Sequence, residues 1–136
     1  MEIIRYRGYP AEQHKIVTRD GHILTLHRIP HGRNGRRGGG PVLLQHGLMS
    51  SSFDFLSPLP HKSLSYSLAD AGYDVWLGNS RGNIYSNEHV WLNRTRSRLY
   101  WNFSWDEMGR YDYPAMINYI LNVTRRPTLH IIGHSQ

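Results

Sequence analysis

The chain has 136 residues, of which 39% are hydrophobic and 19% are charged, and its formal net charge is +6 with nine histidines counted as neutral. This composition argues against a chain that is disordered throughout, and the absence of cysteine excludes disulfide and thiolate chemistry. No apolar run approaches the ~20 residues of a transmembrane helix, and the basic charge fits anionic surfaces without indicating a nucleic-acid partner.

The first predicted element is a β-hairpin. Residues His14–Thr18 and Ile23–Ile29 are rich in β-favouring side chains, and Asp20-Gly21 lies between the two runs. Asp-Gly between such runs is a strong hairpin signal. The residues before the hairpin do not resemble a signal peptide, so we expect either a cytosolic protein or a chain whose true N-terminus is missing.

A glycine-rich and arginine-rich segment, Pro30–Gly40, follows the hairpin. Its three arginines could form a phosphate or nucleic-acid patch, but the glycine content favours a solvated, flexible connection. The apolar run Pro41–Gln45 is then predicted as a strand that ends at His46-Gly47-Leu48.

A helix and a strand are predicted next. The segment His61–Ala71 has apolar residues at helical spacing, and Gly72 is a natural C-terminal stop. Tyr73–Leu77 is the following strand, and it ends in the glycine-punctuated turn Gly78–Asn83.

The remainder of the chain contains a long loop, two helices and a last strand. The residues Ile84–Phe103 are predicted as the loop, with one helical turn at most. Ser104 and Glu107 match a capping box. Because Pro114 would interrupt a long helix, we expect a short helix over Trp105–Arg110, a second that begins near Asp112, and a strand over Thr128–Ile132.

This order of elements predicts an α/β fold. After the hairpin, strands alternate with helices, which is typical of a mostly parallel sheet covered by helices on both faces.

The last predicted strand runs directly into Gly133-His134-Ser135-Gln136. An apolar strand followed by G-x-S is the start of a nucleophile elbow, which exposes a serine hydroxyl for attack on an ester or amide carbonyl. The alternative, an ordinary strand-to-loop turn, is less consistent with the preceding strand and the αβ alternation. We therefore predict Ser135 as a nucleophile.

Two backbone amides are predicted to form an oxyanion hole. In folds built around this elbow, one donor is the N–H of the residue after the serine, here Gln136, and the other lies in the loop after an earlier strand. His46-Gly47-Leu48 occupies that loop, and Leu48 would supply its amide. His46 could act as the general base, but the acid and the histidine of such sites follow the serine, which favours a structural role.

Three histidines near the N-terminus could suggest a metal site. His22, His27 and His31 are spaced by five and four residues across a predicted strand and loop. No carboxylate or cysteine pattern accompanies them, so we expect no metal there.

The chain resembles the acid lipase family, which includes gastric lipase, lysosomal acid lipase and insect lipases of that type. The similarity covers nearly the whole chain, and its motifs come in the family's order. The segments that carry the resemblance are Gly8–Glu12, Val17–Leu24, Leu44–Leu48, Gly78–Asn83, Ser104–Met108, Tyr111–Ala115 and Gly133–Gln136.

This resemblance implies the N-terminal portion of an α/β-hydrolase fold, incomplete at residue 136. It implies Ser135 as nucleophile, Leu48 and Gln136 at the oxyanion hole, and hydrolysis of acyl esters of glycerol or sterols at a lipid–water interface without metal or cofactor. We expect residues 1–60 to form an N-terminal lipase-associated region and residues 61–136 to form the core up to the elbow. The triad acid and histidine, and the cap that shapes the acyl pocket, are expected beyond residue 136, so these residues alone are expected to be inactive.

Three N-x-S/T sequons begin at Asn93, Asn102 and Asn122. Together with the resemblance, they predict a glycosylated protein that is secreted or lysosomal. Two alternatives to a lipase stay open: an esterase for small soluble esters, and a truncated, non-catalytic module that binds lipid or a partner.

Overall fold

The computed structural model describes residues 1–135 and contains one six-stranded mixed sheet. Its strands are β1 (Glu12–Val17), β2 (His22–Ile29), β3 (Pro41–Gln45), β4 (Asp74–Leu77), β5 (Glu88–His89) and β6 (His130–Gly133). The spatial order is β1-β2-β4-β3-β6, and the short β5 pairs with β2. An α/β fold is therefore confirmed.

The N-terminal hairpin forms as predicted. Strands β1 and β2 pair antiparallel from Glu12 opposite Arg28 to Val17 opposite Ile23. Gly21 adopts a φ of +97°, a left-handed conformation that glycine accepts without steric cost. The turn therefore closes where the Asp-Gly pair predicted it.

The second half of the sheet is parallel. Strand β3 pairs parallel with β4 on one side and with β6 on the other. All five β3 residues are buried, as expected for a strand covered on both faces. Because the three strands run the same way, their carboxyl ends reach one edge of the sheet, and this edge holds the candidate site.

Helices cover both faces of the sheet. The α-helices are α1 (Glu2–Tyr6), α2 (Phe53–Leu56), α3 (Leu64–Asp70), α4 (Trp105–Glu107) and α5 (Tyr113–Thr124). Alternate β3 residues point to opposite faces: Val42 and Leu44 pack with α1 and α3, whereas Leu43 packs with α5. The core is thus two apolar layers with the sheet between them.

The last helix begins close to its predicted start near Asp112, with Pro114 in its first turn, but a π-helical turn that was not predicted precedes it. A π-helical turn, Met108–Asp112, joins α4 to α5, so the segment from Trp105 to Thr124 is one continuous helical rod. Pro114 cannot donate the usual N–H, and the wider turn immediately before it lets the rod continue without that hydrogen bond. The Ser104 capping box at the start of the rod forms as predicted. Within residues 1–135, no helix has the length and apolar character needed to cross a membrane.

Candidate active site

Ser135 lies in a strained turn directly after β6. Its φ is +63°, in the left-handed region that non-glycine residues rarely adopt, and its side chain is exposed. Strand β6 stays in register with β3 up to Gly133 opposite Gln45, and the next N–H, that of His134, donates to the Gln45 carbonyl at 3.0 Å. The sheet therefore holds the turn, and the turn lifts Ser135 above the sheet edge.

The predicted oxyanion loop lies against Ser135. A Cβ placed on Gly47 would be 3.0 Å from the Ser135 Cβ, 3.5 Å from its Oγ and 3.0 Å from the His134 carbonyl oxygen. A side chain at position 47 would therefore crowd the elbow, and glycine favours this close approach. The structure thus brings together two segments that are 88 positions apart in the sequence.

His46 is buried beneath this loop with both ring nitrogens engaged. Its Nδ1 lies 2.7 Å from the Gly47 carbonyl oxygen, which can only accept, and its Nε2 accepts from the Ser80 N–H at 3.1 Å. These partners define the neutral tautomer with the proton on Nδ1. Burial lowers the pKa of His46, which favours the same neutral form. The ring is therefore suited to hold the loop and has no nitrogen free to take a proton from Ser135.

The hydrogen bonds of the Gly47 carbonyl orient the next amide. The carbonyl oxygen also accepts from the Ser50 N–H at 3.3 Å, in a turn that places Met49 at a φ of +57°. In a trans peptide the N–H points opposite to the carbonyl, so the Leu48 N–H points away from His46 and Ser50. Among residues 1–135 this N–H has no hydrogen-bond partner, and it is available to a bound substrate.

The turn after β4 supports the oxyanion loop through buried polar side chains. Asn79 is fully buried; its Oδ1 accepts from the Ser52 N–H at 2.9 Å, and its Nδ2 donates to the Thr25 carbonyl at 2.9 Å. Ser80 contributes both the N–H that binds His46 and an Oγ that accepts from Gln45. Sequence reasoning placed a turn here but missed this role. The signal was a run of polar residues directly after a buried strand.

A buried charge cluster fixes the helical rod to the same turn. The guanidinium of Arg81 donates to both carboxylate oxygens of Asp20, at 2.6 and 2.9 Å, and its Nε donates to Asp112 Oδ1 at 2.9 Å. Burial raises the pKa of Asp112, although the Arg81 charge acts in the opposite direction. Burial also lowers the pKa of Arg81, but the hydrogen bonds that its guanidinium donates to the Asp20 and Asp112 carboxylates raise this pKa overall. This cluster was not anticipated, since its members are far apart in the sequence.

The three N-terminal histidines do not converge. His27 Nδ1 lies 2.8 Å from Ser52 Oγ, His31 Nδ1 lies 2.8 Å from the Gly32 carbonyl, and His22 packs against aromatic rings. Burial lowers the pKa of both His22 and His27 to about 4. Within the part of the chain that the structure describes, no three His, Cys, Asp or Glu side chains are grouped to hold a metal ion.

Two clefts open at this edge of the sheet. One, of about 650 Å³, contains Ser135 and is lined mainly by apolar side chains. Its lining residues are Leu48, Trp105, Met108, Gly109, Tyr113 and Ser135. The second, of about 610 Å³, shares Leu48 and Met108 with the first and extends toward the oxyanion loop and the turn after β4. The nucleophile candidate therefore faces an apolar space of the kind that binds organic ligands.

Comparison with known proteins identifies this architecture. Residues 40–136 match the family model described as the alpha/beta hydrolase fold. The chain belongs to the α/β-hydrolase fold family. Residues 1–59 match a second model, described as the partial alpha/beta-hydrolase lipase region, and the predicted resemblance to acid lipases is confirmed.

Two curated relatives of this chain are lipases by name. The chain is 51% identical to gastric triacylglycerol lipase of Bos taurus and 49% identical to lysosomal acid lipase/cholesteryl ester hydrolase of Homo sapiens. Each alignment covers 99% of this chain and 34% of the relative, so the chain spans about a third of the length of these curated relatives.

Two solved structures share the fold at low sequence identity. An esterase from Pyrococcus furiosus superposes with a TM-score of 0.64 at 16% identity, over 96% of this chain and 44% of its own. A putative lipase from Sulfolobus solfataricus superposes with a TM-score of 0.67 at 20% identity, over 92% of this chain and 37% of its own.

Proposed function

We propose that the protein containing this chain is a lipase that hydrolyses acyl esters of glycerol or sterols, with Ser135 as nucleophile. The observation that carries this proposal is the close approach of Gly47 to Ser135, where an added Cβ would lie 3.0 Å from the Ser135 Cβ. It places an unpaired amide, that of Leu48, beside a serine held in a strained, exposed turn. An exposed nucleophile beside a fixed backbone donor is the arrangement that acyl transfer requires.

The reaction proceeds in two steps on this geometry. Ser135 Oγ attacks the ester carbonyl carbon while its proton passes to a histidine base, which we expect beyond residue 136. The Leu48 N–H donates to the oxyanion that forms, together with the N–H of Gln136, which lies outside the described residues. Collapse of the tetrahedral intermediate expels the alcohol and leaves an acyl ester on Ser135. Water then attacks that ester and releases the fatty acid.

The names of the relatives support the substrate class and the location. A gastric triacylglycerol lipase and a lysosomal cholesteryl ester hydrolase share half of their aligned residues with this chain. On that basis the protein acts on water-insoluble esters at a lipid–water interface, and it is secreted or lysosomal.

The test is hydrolysis by the whole protein of three substrates: emulsified trioleoylglycerol, cholesteryl oleate and the soluble ester p-nitrophenyl acetate. The expected result is turnover of at least one emulsified ester, abolished by a serine-directed phosphonate that adds its mass to the peptide containing Ser135. Turnover of the soluble ester alone would identify an esterase for small esters. Absence of both turnover and labelling would identify a non-catalytic binding module.

The Leu48 amide is expected to stabilise the transition state. Replacing Leu48 with proline deletes the N–H, and loss of one oxyanion donor costs on the order of 10²–10³ in turnover in another serine hydrolase. We therefore expect the kcat of Leu48→Pro in the whole protein to fall by about a hundredfold or more, measured on the best ester substrate.

Leu48→Ala is the matched control, because it shortens the same side chain and keeps the amide. The two variants are compared at similar thermal stability, since proline can also distort the loop. Equal turnover in Leu48→Pro and Leu48→Ala would show that this amide does not contribute to catalysis.

The three sequons differ in local structure. Asn93 is exposed in a loop, where its Oδ1 accepts from the Thr95 N–H and Oγ, and Asn102 is exposed just before the Ser104 cap. Asn122 is exposed in the last turn of α5, where Thr124 Oγ instead donates to the Ile120 carbonyl.

We expect glycans on Asn93 and Asn102 of the secreted protein and lower occupancy at Asn122, because the helix constrains that sequon. Intact-glycopeptide mass spectrometry measures the occupancy of each site, and Asn→Gln variants serve as controls. Full occupancy at Asn122 with an empty Asn93 would contradict this order.

A further inference from the structure

Asn83 lies in the turn after β4, and its carboxamide has a fixed orientation. Its Oδ1 accepts from the backbone N–H of Tyr85 at 2.9 Å and from that of Ser86 at 2.8 Å. Ser86 is fully buried, and its Oγ donates to the Asn79 carbonyl at 2.7 Å and accepts from the Thr25 N–H at 2.9 Å. The amide oxygen of Asn83 is therefore used within its own turn, and the two hydrogens on Nδ2 remain for partners elsewhere.

The Nδ2 group of Asn83 reaches the oxyanion loop on both sides of the Leu48 amide. It lies 3.3 Å from His46 Nε2 and 3.4 Å from the Ser50 carbonyl oxygen, and it donates to Asn79 Oδ1 at 2.9 Å. His46 comes before this amide in the chain, and Ser50 comes after it. One side chain from a different turn therefore contacts both ends of the segment that carries the candidate oxyanion donor.

The same segment contains a strained residue that its surroundings must hold. Met49 has a φ of +57° in a turn that the Ser50 N–H closes by donating to the Gly47 carbonyl at 3.3 Å. Glycine or asparagine usually occupies the left-handed position of such a turn, and other residues stay there only when the surrounding structure enforces it. Relaxation of the turn would move the Leu48 peptide, and the contact of Asn83 with the Ser50 carbonyl opposes that movement.

We propose that Asn83 is a positioning residue for the oxyanion hole, an inference that rests on the proposed hydrolase function. Its Nδ2 holds the His46 ring and the Ser50 carbonyl, and through them it keeps the Leu48 N–H directed at the oxyanion. A donor that is already oriented is effective because it needs no reorganisation when charge develops in the transition state. Without the Nδ2 donor the amide would still be present, but it would be free to turn away.

The experiment replaces Asn83 with serine in the whole protein. A serine hydroxyl can replace Oδ1 as the acceptor within the turn, but it is too short to reach the oxyanion loop. We expect kcat on the best ester substrate to fall about tenfold, which is part of the loss on the order of 10²–10³ for a deleted oxyanion donor, because the amide is displaced and not removed. KM is expected to change by less than about twofold, since the weakened interaction is made only in the transition state.

Asn87→Ser is the matched control. It makes the same change in the same loop, where the Asn87 Nδ2 donates to the Ile84 carbonyl at 2.9 Å. This variant is expected to keep the kcat and KM of the unchanged protein. Equal losses of kcat in Asn83→Ser and Asn87→Ser would overturn the proposal.

A double-variant cycle separates positioning from a general loss of structure. If Asn83 acts through the Leu48 amide, Asn83→Ser lowers kcat by less than about twofold when it is added to Leu48→Pro, which has no such amide. Losses that multiply in the double variant would show that Asn83 acts elsewhere, and the proposal would be wrong. Should Asn83→Ser fail to fold, Asn83→Asp enters the same cycle, because it keeps the shape and the Oδ1 acceptor and removes the Nδ2 donor.

The unchanged protein tells the two proposals apart. If it neither hydrolyses esters nor is labelled by the serine-directed phosphonate, the proposed hydrolase function itself is wrong. If it does both and Asn83→Ser keeps its kcat, only the role of Asn83 is wrong. Equal turnover in Leu48→Pro and Leu48→Ala would also overturn the role of Asn83, because there would be no catalytic amide for it to position.

Discussion

Replacement of Ser135 by alanine is expected to lower the kcat of the whole protein on the order of 10⁶-fold, the loss seen when the nucleophile of another serine hydrolase is removed. The reason is that the elbow holds the exposed Ser135 hydroxyl against the turn at Gly47, next to Leu48. Initial rates on the best ester substrate measure this loss, and the alanine variant is also expected to lose phosphonate labelling.

Two further serine variants make this result specific. Ser67→Ala changes an exposed serine on α3, far along the chain from the elbow, and is expected to keep full activity. Ser135→Gly is expected to be as inactive as Ser135→Ala yet more stable by about 1 kcal/mol, because glycine relieves the left-handed φ of +63°. Substantial turnover in Ser135→Ala would show that another group is the nucleophile.

Removal of the Arg81 charge is expected to destabilise the protein by about 3–5 kcal/mol, the cost of breaking a buried ion pair. Arg81→Met keeps an unbranched apolar stem but leaves Asp112, which is fully buried, without its cationic partner. Because Arg81 joins the hairpin turn to the helical rod, the free energy of unfolding is expected to fall. Chemical denaturation of the whole protein at pH 7 measures this change.

The pH dependence of this variant separates a charge effect from lost packing. Without Arg81, burial raises the pKa of Asp112 further, so its folded-state pKa lies above its unfolded-state pKa. A carboxyl of this kind stabilises the folded state when the pH is below its unfolded-state pKa. This stabilisation is lost as the pH rises through its folded-state pKa. The stability that Arg81→Met loses relative to the unchanged protein is therefore expected to become smaller as the pH falls from 7 toward 4.

The double variant Arg81→Met with Asp112→Asn is the companion measurement. Asparagine removes the unpaired charge, so the double variant is expected to be more stable at pH 7 than Arg81→Met alone. The charge effect would be contradicted if the stability lost in Arg81→Met did not change with pH. It would also be contradicted if the effects of Arg81→Met and Asp112→Asn simply added in the double variant.

Local signals in the sequence predicted most of the strands. Asp20-Gly21 between two β-favouring runs predicted the hairpin, and the apolar run Pro41–Gln45 predicted β3 with its observed bounds. These predictions succeeded because turn chemistry and short apolar runs act over a few residues. The start of the last helix near Asp112 was also predicted, but the π turn that joins it to the preceding short helix was not, because local propensity does not reveal such a turn.

The elements of the site were also visible in the sequence, but not how they are held. The G-x-S pattern after a strand predicted Ser135 as a candidate nucleophile, and a glycine after another strand predicted the loop at Gly47. Their contact depends on the parallel register of β3 and β6, which ends at Gln45 opposite Gly133. Register is a property of two distant segments, and no local pattern in either one specifies it.

The sequence by itself thus determined the fold class, the candidate nucleophile and the loop expected beside it, because each depends on residue types at short spacing. Only the tertiary structure decided that His46 is buried with both nitrogens engaged and that Arg81 lies between Asp20 and Asp112. Burial, hydrogen-bond partners and empty space depend on atoms from segments far apart in the chain, which are brought together only by folding.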